Sequence, residues 1–362
     1  MARSLRAFAP ALVALSLVAA ACGGDGGAAG DGGGGADCNQ DIRVGMALDI
    51  GGLGDKSFND AANRGLQDAI ADGLVCEENT EFIEADATGS NRDANVQALA
   101  DGGYDLIIGV GFAFSPGINT IAPDYPEQFF AVVDGFATCG TACDLPNDDL
   151  TNVTDLTFKE NEGSFLVGAA AALKCGCDTI GFLGGQTGPL IGKFEAGYVA
   201  GAKYINPDIE VLVEYIGDDT SAFNDPTKGQ ALSTKMYDQG AEIIYHAAGA
   251  SGAGLFNAAV EAGKLAIGVD SDQYQLVSAE QQPLVLTSML KRVDTAVYDV
   301  IAQVGEGSFE PGAQVFGLAE EGVDYSKSNT AELTEDIVAR LDEIKQMIID
   351  GEITVPEDPA EV

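Results

Sequence analysis

Short apolar runs recur along the chain, and each gives way to a longer stretch in which apolar residues return every three or four positions. IRVGMAL, EFIEA, YDLIIGVG and FFAVVD come first, then TIGFLGG, IEVLVEYI, EIIYHAA and LAIGVD, and later LVLTSML and QVFGLA. Runs of this length predict buried strands, and the patterns between them predict helices over 57–72, 91–101, 160–174, 190–204, 226–239 and 252–262. Such alternation of strand and helix predicts parallel α/β sheets. The strands fall into two sets, 41–155 and 156–283, with the acidic, Asn-rich loop LPNDDLTN near the join. A last amphipathic helix, from Leu333 to Asp350, carries Ile337, Leu341, Ile344 and Ile348 on one stripe.

In open α/β sheets ligands gather at the carboxyl ends of the strands. Those ends carry Asp49, Gly111 and Phe112, Asp134, Gly184 and Gly185, Ala248 and Gly249, and Asp270. If the two sheets face each other, these residues line a cleft of the kind that holds small molecules. The turn after the first strand, GGLGDKS, does not complete a dinucleotide fingerprint, because Ser57 stands where the third glycine belongs. Ser57 to Asp60 fits a capping box instead, with the Ser57 hydroxyl accepting from the Asp60 N–H and the Asp60 carboxylate reaching back. Phe58, in the first turn of that helix, faces core or cleft equally well on the residues alone. TGPLIGKF fails as a phosphate loop at both Thr187 and Phe194. GASGAG, residues 249–254, reads first as a close-packed strand-to-helix turn whose free N–H groups are open to a ligand hydroxyl.

With 362 residues and a hydrophobic fraction of 46%, the chain has material for two cores. Residues 1–21 carry Arg3 and Arg6 and then an apolar run from Ala7 to Ala21, which predicts a secretory signal peptide. The small residues before Cys22 resemble a bacterial lipobox, so Cys22 is the expected lipidation site. Residues 22–37 are then a lipidated cysteine and a glycine-rich tether, spanning about 20 Å as a random coil. The formal charge is −39, and loss of the signal takes it to −41. So acidic a surface excludes nucleic acid as a partner, since phosphate binding needs basic groups.

Six further cysteines in an exported chain predict disulfides. Cys38 and Cys76 each stand just before a predicted strand, and they pair if those strands are parallel neighbours. Cys139 with Cys143, and Cys175 with Cys177, either close locally or pair with each other. Chemistry is thinly supplied. His246 is the sole histidine and sits in a strand pattern, no G-x-S-x-G or H-E-x-x-H motif occurs, and Asp270 with Asp272 is too small an acidic group for a metal. No catalytic residue, metal or cofactor is expected.

Several longer stretches carry a resemblance: VGMALDIGGLGDKSFNDAANRGL, FFAVVDG, NEGSFLVGAAAAL, IGFLGGQTGPLIGKFEAGYVAGAK, GAEIIYHAAGASGAGLF, AIGVDSDQ and VLTSMLKRVDTAVYD. Together they resemble the basic membrane protein family, lipoprotein substrate-binding components of ABC transporters similar to the purine nucleoside receptor type. The resemblance spans nearly all of the mature chain. It implies a type I periplasmic-binding-protein fold, with two Rossmann-like lobes of parallel sheet joined at a hinge cleft. It places 41–155 plus about 284–306 in lobe 1, 156–283 plus about 310–330 in lobe 2, and 331–362 in a C-terminal helix and tail.

By the same resemblance Phe58 and Phe194 would stack on a base, and Asp270 and Lys291 would hold a ribose. Asp49, Asn59 and Asp134 would address the base or complete the polar rim, and Gly249 would offer backbone groups. The implied protein is lipid-anchored outside the cytoplasm, binds a purine nucleoside and hands it to an ABC permease and ATPase, with a sensor of such a ligand as the alternative. GFAFSPG and GQTGPLI depart from the family's usual loops and leave base preference open.

Overall fold

The computed structural model describes residues 38–362, so the expected signal peptide (1–21), Cys22 and the tether to 37 lie outside the described residues. The described residues form one compact unit. In chain order, β1 (Val44–Leu48), α1 (Phe58–Ala71), β2 (Thr80–Glu84), α2 (Arg92–Asp101), β3 (Leu106–Val110), α3 (Ser115–Ile121), β4 (Phe129–Val133) and β5 (Val153–Phe158) come first. Next are α4 (Glu160–Cys175), β6 (Thr179–Gln186), α5 (Pro189–Ile205), β7 (Glu210–Gly217), α6 (Pro226–Asp238), β8 (Ile243–Ala247), α7 (Ala253–Ala262) and β9 (Leu265–Asp270). The chain closes with β10 (Val285–Lys291), α8 (Val293–Glu306), β11 (Gly312–Phe316), β12 (Val323–Tyr325) and α9 (Glu335–Ile349).

These strands build two six-stranded sheets, ordered β11-β5-β4-β3-β1-β2 and β12-β10-β9-β8-β6-β7. Every pairing is parallel except β12 on β10. The central strands β1, β3 and β8 are buried at every position, because a parallel sheet is covered by helices on both faces. Edge strand β2 is exposed at three of its five positions, in keeping with the charges in TEFIE.

The lobe boundaries differ from those implied by the sequence. Strand β10 was expected in lobe 1 but hydrogen-bonds to β9 and β12 in the second sheet. The return to lobe 1 begins one element later, with α8 packing on α1. Strand β11, expected in lobe 2, pairs with β5 in the first sheet, and only β12 lies in the second. An apolar run is equally at home in either buried sheet, so composition could not assign these strands. The chain therefore crosses between lobes three times, at β5 to α4, β10 to α8 and β11 to β12. Lys159 N–H donates to Phe316 O (3.0 Å) and Arg292 N–H to Gly322 O (2.8 Å), which ties the crossings together.

Disulfides join Cys38 to Cys76 with Cα atoms 5.1 Å apart, Cys139 to Cys143, and Cys175 to Cys177. The first spans the leads into β1 and β2, which are parallel neighbours. The second lobe is held by a close crossing of α4 and α5. A Cβ added to Gly168 would lie 2.1 Å from the Tyr198 carbonyl oxygen, one on Gly197 2.2 Å from that of Asn161, and one on Gly201 2.0 Å from that of Phe165. These are backbone atoms, so the helices come this close because side chains are missing there. Gly201→Ala is expected to force them apart and lower stability by about 1–3 kcal/mol. Chemical denaturation would show this as a lower midpoint at unchanged slope.

Candidate functional site

The strand ends of the two sheets meet at one cavity, of about 670 Å³ counted to its open mouth. All eight residues expected to bind the ligand lie on it, Asp49, Phe58, Asn59, Asp134, Phe194, Gly249, Asp270 and Lys291, whereas the strand-end Gly184 and Gly185 do not, because the Tyr215 and Phe223 rings pack against them. Local backbone conformation explains how they are aimed. Gly111 (φ 126°) and Asp134 (φ 58°) come directly after β3 and β4, while Gly249 (φ 53°) comes just after β8 and Asp270 (φ 62°) ends β9. Left-handed backbone favours glycine and is tolerated by aspartate, and it turns the chain sharply, so that the residues past each strand face the cleft.

The expected capping box at Ser57 does not form, and Asp55 takes that role. The Asp55 carboxylate accepts from the N–H groups of Ser57 (2.9 Å), Asn59 (2.8 Å) and Asp60 (3.2 Å) and from the Asn59 amide (3.0 Å). Asp60 instead accepts from Gly54 and Lys56 N–H. The Ser57 hydroxyl is thereby free to reach across the lobes and donate to Asp270. Burial pushes the Asp55 carboxyl up to about 6, against the pull of those N–H donors. Asn59 Oδ1 accepts from Asp49 N–H (3.0 Å), which fixes its amide at the end of β1.

Asp49 is held by a residue that the sequence does not single out. Arg92, at the start of α2, donates to it from Nε (2.7 Å), sets Nη2 2.5 Å from the same oxygen as an ion pair, and donates from Nη2 to Thr220 Oγ1 of the second lobe (3.1 Å). Burial raises the Asp49 pKa and Arg92 opposes it. The only hint in the sequence is a lone cation at a helix start in a strongly acidic chain. Phe223 and Phe112 also line the cavity, Phe223 without any signal in the sequence and Phe112 only as a strand-end residue. Further bonds between the lobes run from Arg64 to Ser271 Oγ (3.0 Å) and from Gln273 Nε2 to Lys56 O (3.1 Å).

Lys291 is the centre of charge. Its side chain is 1% exposed, and Nζ lies 2.6 and 2.7 Å from the two Asp134 oxygens and 3.1 Å from Glu160 Oε1. The sequence pairs it with Asp270 around a ribose, whereas the Asp270 carboxylate takes the Ser57 hydroxyl. The same ammonium stands 5.3 Å from the Phe58 ring centre, 5.4 Å from that of Phe194 and 5.0 Å from that of Phe158. Burial by itself would lower the Lys291 pKa, but the Asp134, Glu160 and Asp270 carboxylates outweigh it and raise it well above the usual value. Asp134 is pushed up to about 6 by burial, with Lys291 opposing and Glu160 adding to the rise.

His246 is fully buried on β8, with Nε2 2.9 Å from Gln273 Oε1, and burial lowers its pKa to about 4. It belongs to the core. No group of metal-ligating side chains occurs among the described residues. The cavity thus offers aromatic faces, several carboxylates and one fixed ammonium. Such a set can hold a flat ligand with a hydroxyl-rich end, and it contains no activated nucleophile.

Comparison with known proteins fits this geometry. The profile of the family described as "ABC transporter substrate-binding protein PnrA-like" matches residues 42–359. The chain is 35% identical to the "CD4+ T-cell-stimulating antigen" of Listeria monocytogenes, over 89% of this chain and 90% of that protein. It is 33% identical to the "ABC transporter nucleoside-binding protein BmpA" of Lactococcus lactis, over 87% of this chain and 89% of that one. Among solved structures, an ABC transporter solute-binding protein from Aeropyrum pernix superposes with a TM-score of 0.73 at 30% identity, covering 88% of this chain and 94% of its own. The fold is that of the type I periplasmic solute-binding proteins.

Lys291→Met would leave Asp134 and Glu160 buried without their cation. The expected loss is about 3–5 kcal/mol at pH 7. A carboxyl whose folded pKa lies above its unfolded value stabilises the fold at low pH and loses that contribution as pH rises through the folded pKa. Asp134 already sits near 6, and losing its cation moves it higher. The deficit of the variant should therefore shrink between pH 7 and pH 5. Thermal unfolding of both proteins at the two pH values checks this.

Proposed function

The chain belongs to the PnrA-like family of ABC transporter substrate-binding proteins, and we propose that its ligand is a purine nucleoside, captured outside the cytoplasm by a lipid-anchored receptor and passed to a membrane permease. One observation carries the ligand assignment: Phe58 and Phe194 come to one cavity at nearly equal distances, 5.3 and 5.4 Å, from the same buried ammonium. Two aromatic faces suit a base, and Lys291, Asp134 and Asp270 beside them suit the hydroxyls of a sugar. The name of the Lactococcus lactis relative points the same way. The anchor follows from the small residues before Cys22 and the glycine-rich stretch behind it. Among the described residues no helix is long and apolar enough to cross a membrane.

Stacking contributes about 1–3 kcal/mol per base contact, and hydrogen bonds to charged groups about 1.5–3 kcal/mol each. Two of each give roughly 5–12 kcal/mol before ordering costs, the upper half of which corresponds to micromolar to nanomolar affinity. Closure then presents the permease with a loaded form distinct from the empty one. No chemistry is done on the ligand.

Calorimetry of the unit from Asp37 onward, stripped of ligand by unfolding and refolding, tests the assignment. Purine nucleosides should bind with micromolar or better affinity, free ribose and glucose far more weakly. Tight binding of ribose or glucose with none of any nucleoside would overturn the assignment. Phe58→Ala should weaken nucleoside binding at least tenfold. Phe194→Ala should do the same and also lower stability, since that side chain is only 3% exposed and packs with the core.

A further inference from the structure

A second cavity, of about 1010 Å³ counted to its open mouth, lies against the first. The two share Phe112, Asp134, Leu190 and Ile191 and are therefore contiguous. Lys291 stands at their boundary, since its ammonium is as close to Phe158, which lines only the second, as to Phe58 and Phe194, which line only the first. Glu160 also lines only the second cavity. It is 1% exposed, and neither of its carboxylate oxygens makes a hydrogen bond. Its cations are Lys291 at 3.1 Å and Lys193 at 3.7 Å, and Lys193 is shared with Glu357 at 3.9 Å.

A buried carboxylate short of donors favours a neighbour with N–H or O–H groups and disfavours another anion. Asp134 adds a second negative group on the shared wall. The remaining surface is mostly apolar, with Phe112, Phe136, Leu190 and Ile191 to cover a carbon chain, and its one cation, Lys193, already faces the carboxylates of Glu160 and Glu357. We propose that this second cavity takes a substituent on the sugar of the ligand, and that the substituent bears an amine or hydroxyl and not a phosphate. The proposal rests on the nucleoside reading above, which places the sugar beside Lys291, so that a group leaving the sugar past Asp134 enters the second cavity. It adds a substrate class: nucleosides modified on the sugar by neutral or cationic groups.

The test is calorimetry on the unit from Asp37 onward, using whichever of adenosine, inosine or guanosine binds tightest, its 5′-amino-5′-deoxy derivative and its 5′-monophosphate. The amino derivative should bind within threefold of the parent or tighter, and the monophosphate at least 100-fold weaker. An amino derivative more than threefold weaker than the parent, or a monophosphate less than tenfold weaker, overturns the proposal while leaving the nucleoside reading intact. If no nucleoside binds, both fall. Glu160→Gln should reduce the affinity ratio of amino derivative to parent at least fivefold, and a ratio that stays within twofold overturns the proposal. Should that variant not fold, the ligand series on the unaltered protein still decides.

Discussion

A lysine whose ammonium is cut off from water must be paired, and that requirement organises the centre of this molecule. Lys291 is the last residue of β10, at the point where the chain leaves the second lobe for the first. Its partners come from two other places: Asp134 from the end of β4 in lobe 1, and Glu160 from the first turn of α4, just past another crossing. The ion cluster thus joins two of the three crossings and one strand end. Replacing such a cluster with apolar side chains often leaves stability unchanged or higher. Its place at the cleft argues for a role in fixing the hinge and meeting a polar ligand, more than for a contribution to folding.

The two lobes solve the same problem in the same way. Each closes one central strand with a left-handed glycine and the next with a left-handed aspartate: Gly111 and Asp134 in the first, Gly249 and Asp270 in the second. Each glycine leaves room for the chain to fold back tightly; a Cβ on Gly111 would stand 3.0 Å from Asp49 Oδ2, and one on Gly249 3.3 Å from the Phe223 carbonyl. Each aspartate brings a carboxylate to the cleft from opposite sides. The lobes then divide the labour: Asp134 neutralises Lys291, while Asp270 receives Ser57 across the gap.

How much of this was legible in the sequence depends on whether a feature is local. Strand and helix alternation set the α/β class, because parallel strands covered on both faces must be continuous apolar runs, as VGMAL and LIIGV are. Strand-end residues such as Asp134 and Asp270 could be found because their position after an apolar run fixes where they point. Which sheet received β10 and β11 was not legible, since both sheets accept the same kind of residue. The partner of Lys291 was hidden because Asp134 lies 157 positions away in the chain. The cap on α1 lies two residues before the one its sequence suggests, since Asp55 and Ser57 are both cap formers and only the interlobe bond to Asp270 decides between them. Arg92 acts through a contact with Thr220 that no local pattern encodes.

The balance of donors and acceptors in the cleft has a consequence for what can close it. Asp49, Asp134 and Asp270 bring acceptors to the main cavity, whereas the one cationic donor on its wall, Lys291, is already engaged by Asp134. Each of these carboxylates has one side-chain partner within the protein, Arg92, Lys291 or Ser57, and a ligand that presents acceptors alone would face their remaining lone pairs with no donor, which is unfavourable. A sugar supplies hydroxyls that donate as well as accept, so it can satisfy those oxygens without adding charge. Ser57 shows the same chemistry within the protein, its own hydroxyl donating to Asp270. Asp270 is therefore the carboxylate at which a ligand hydroxyl would meet the Ser57 hydroxyl from the start of α1, across the gap between the lobes.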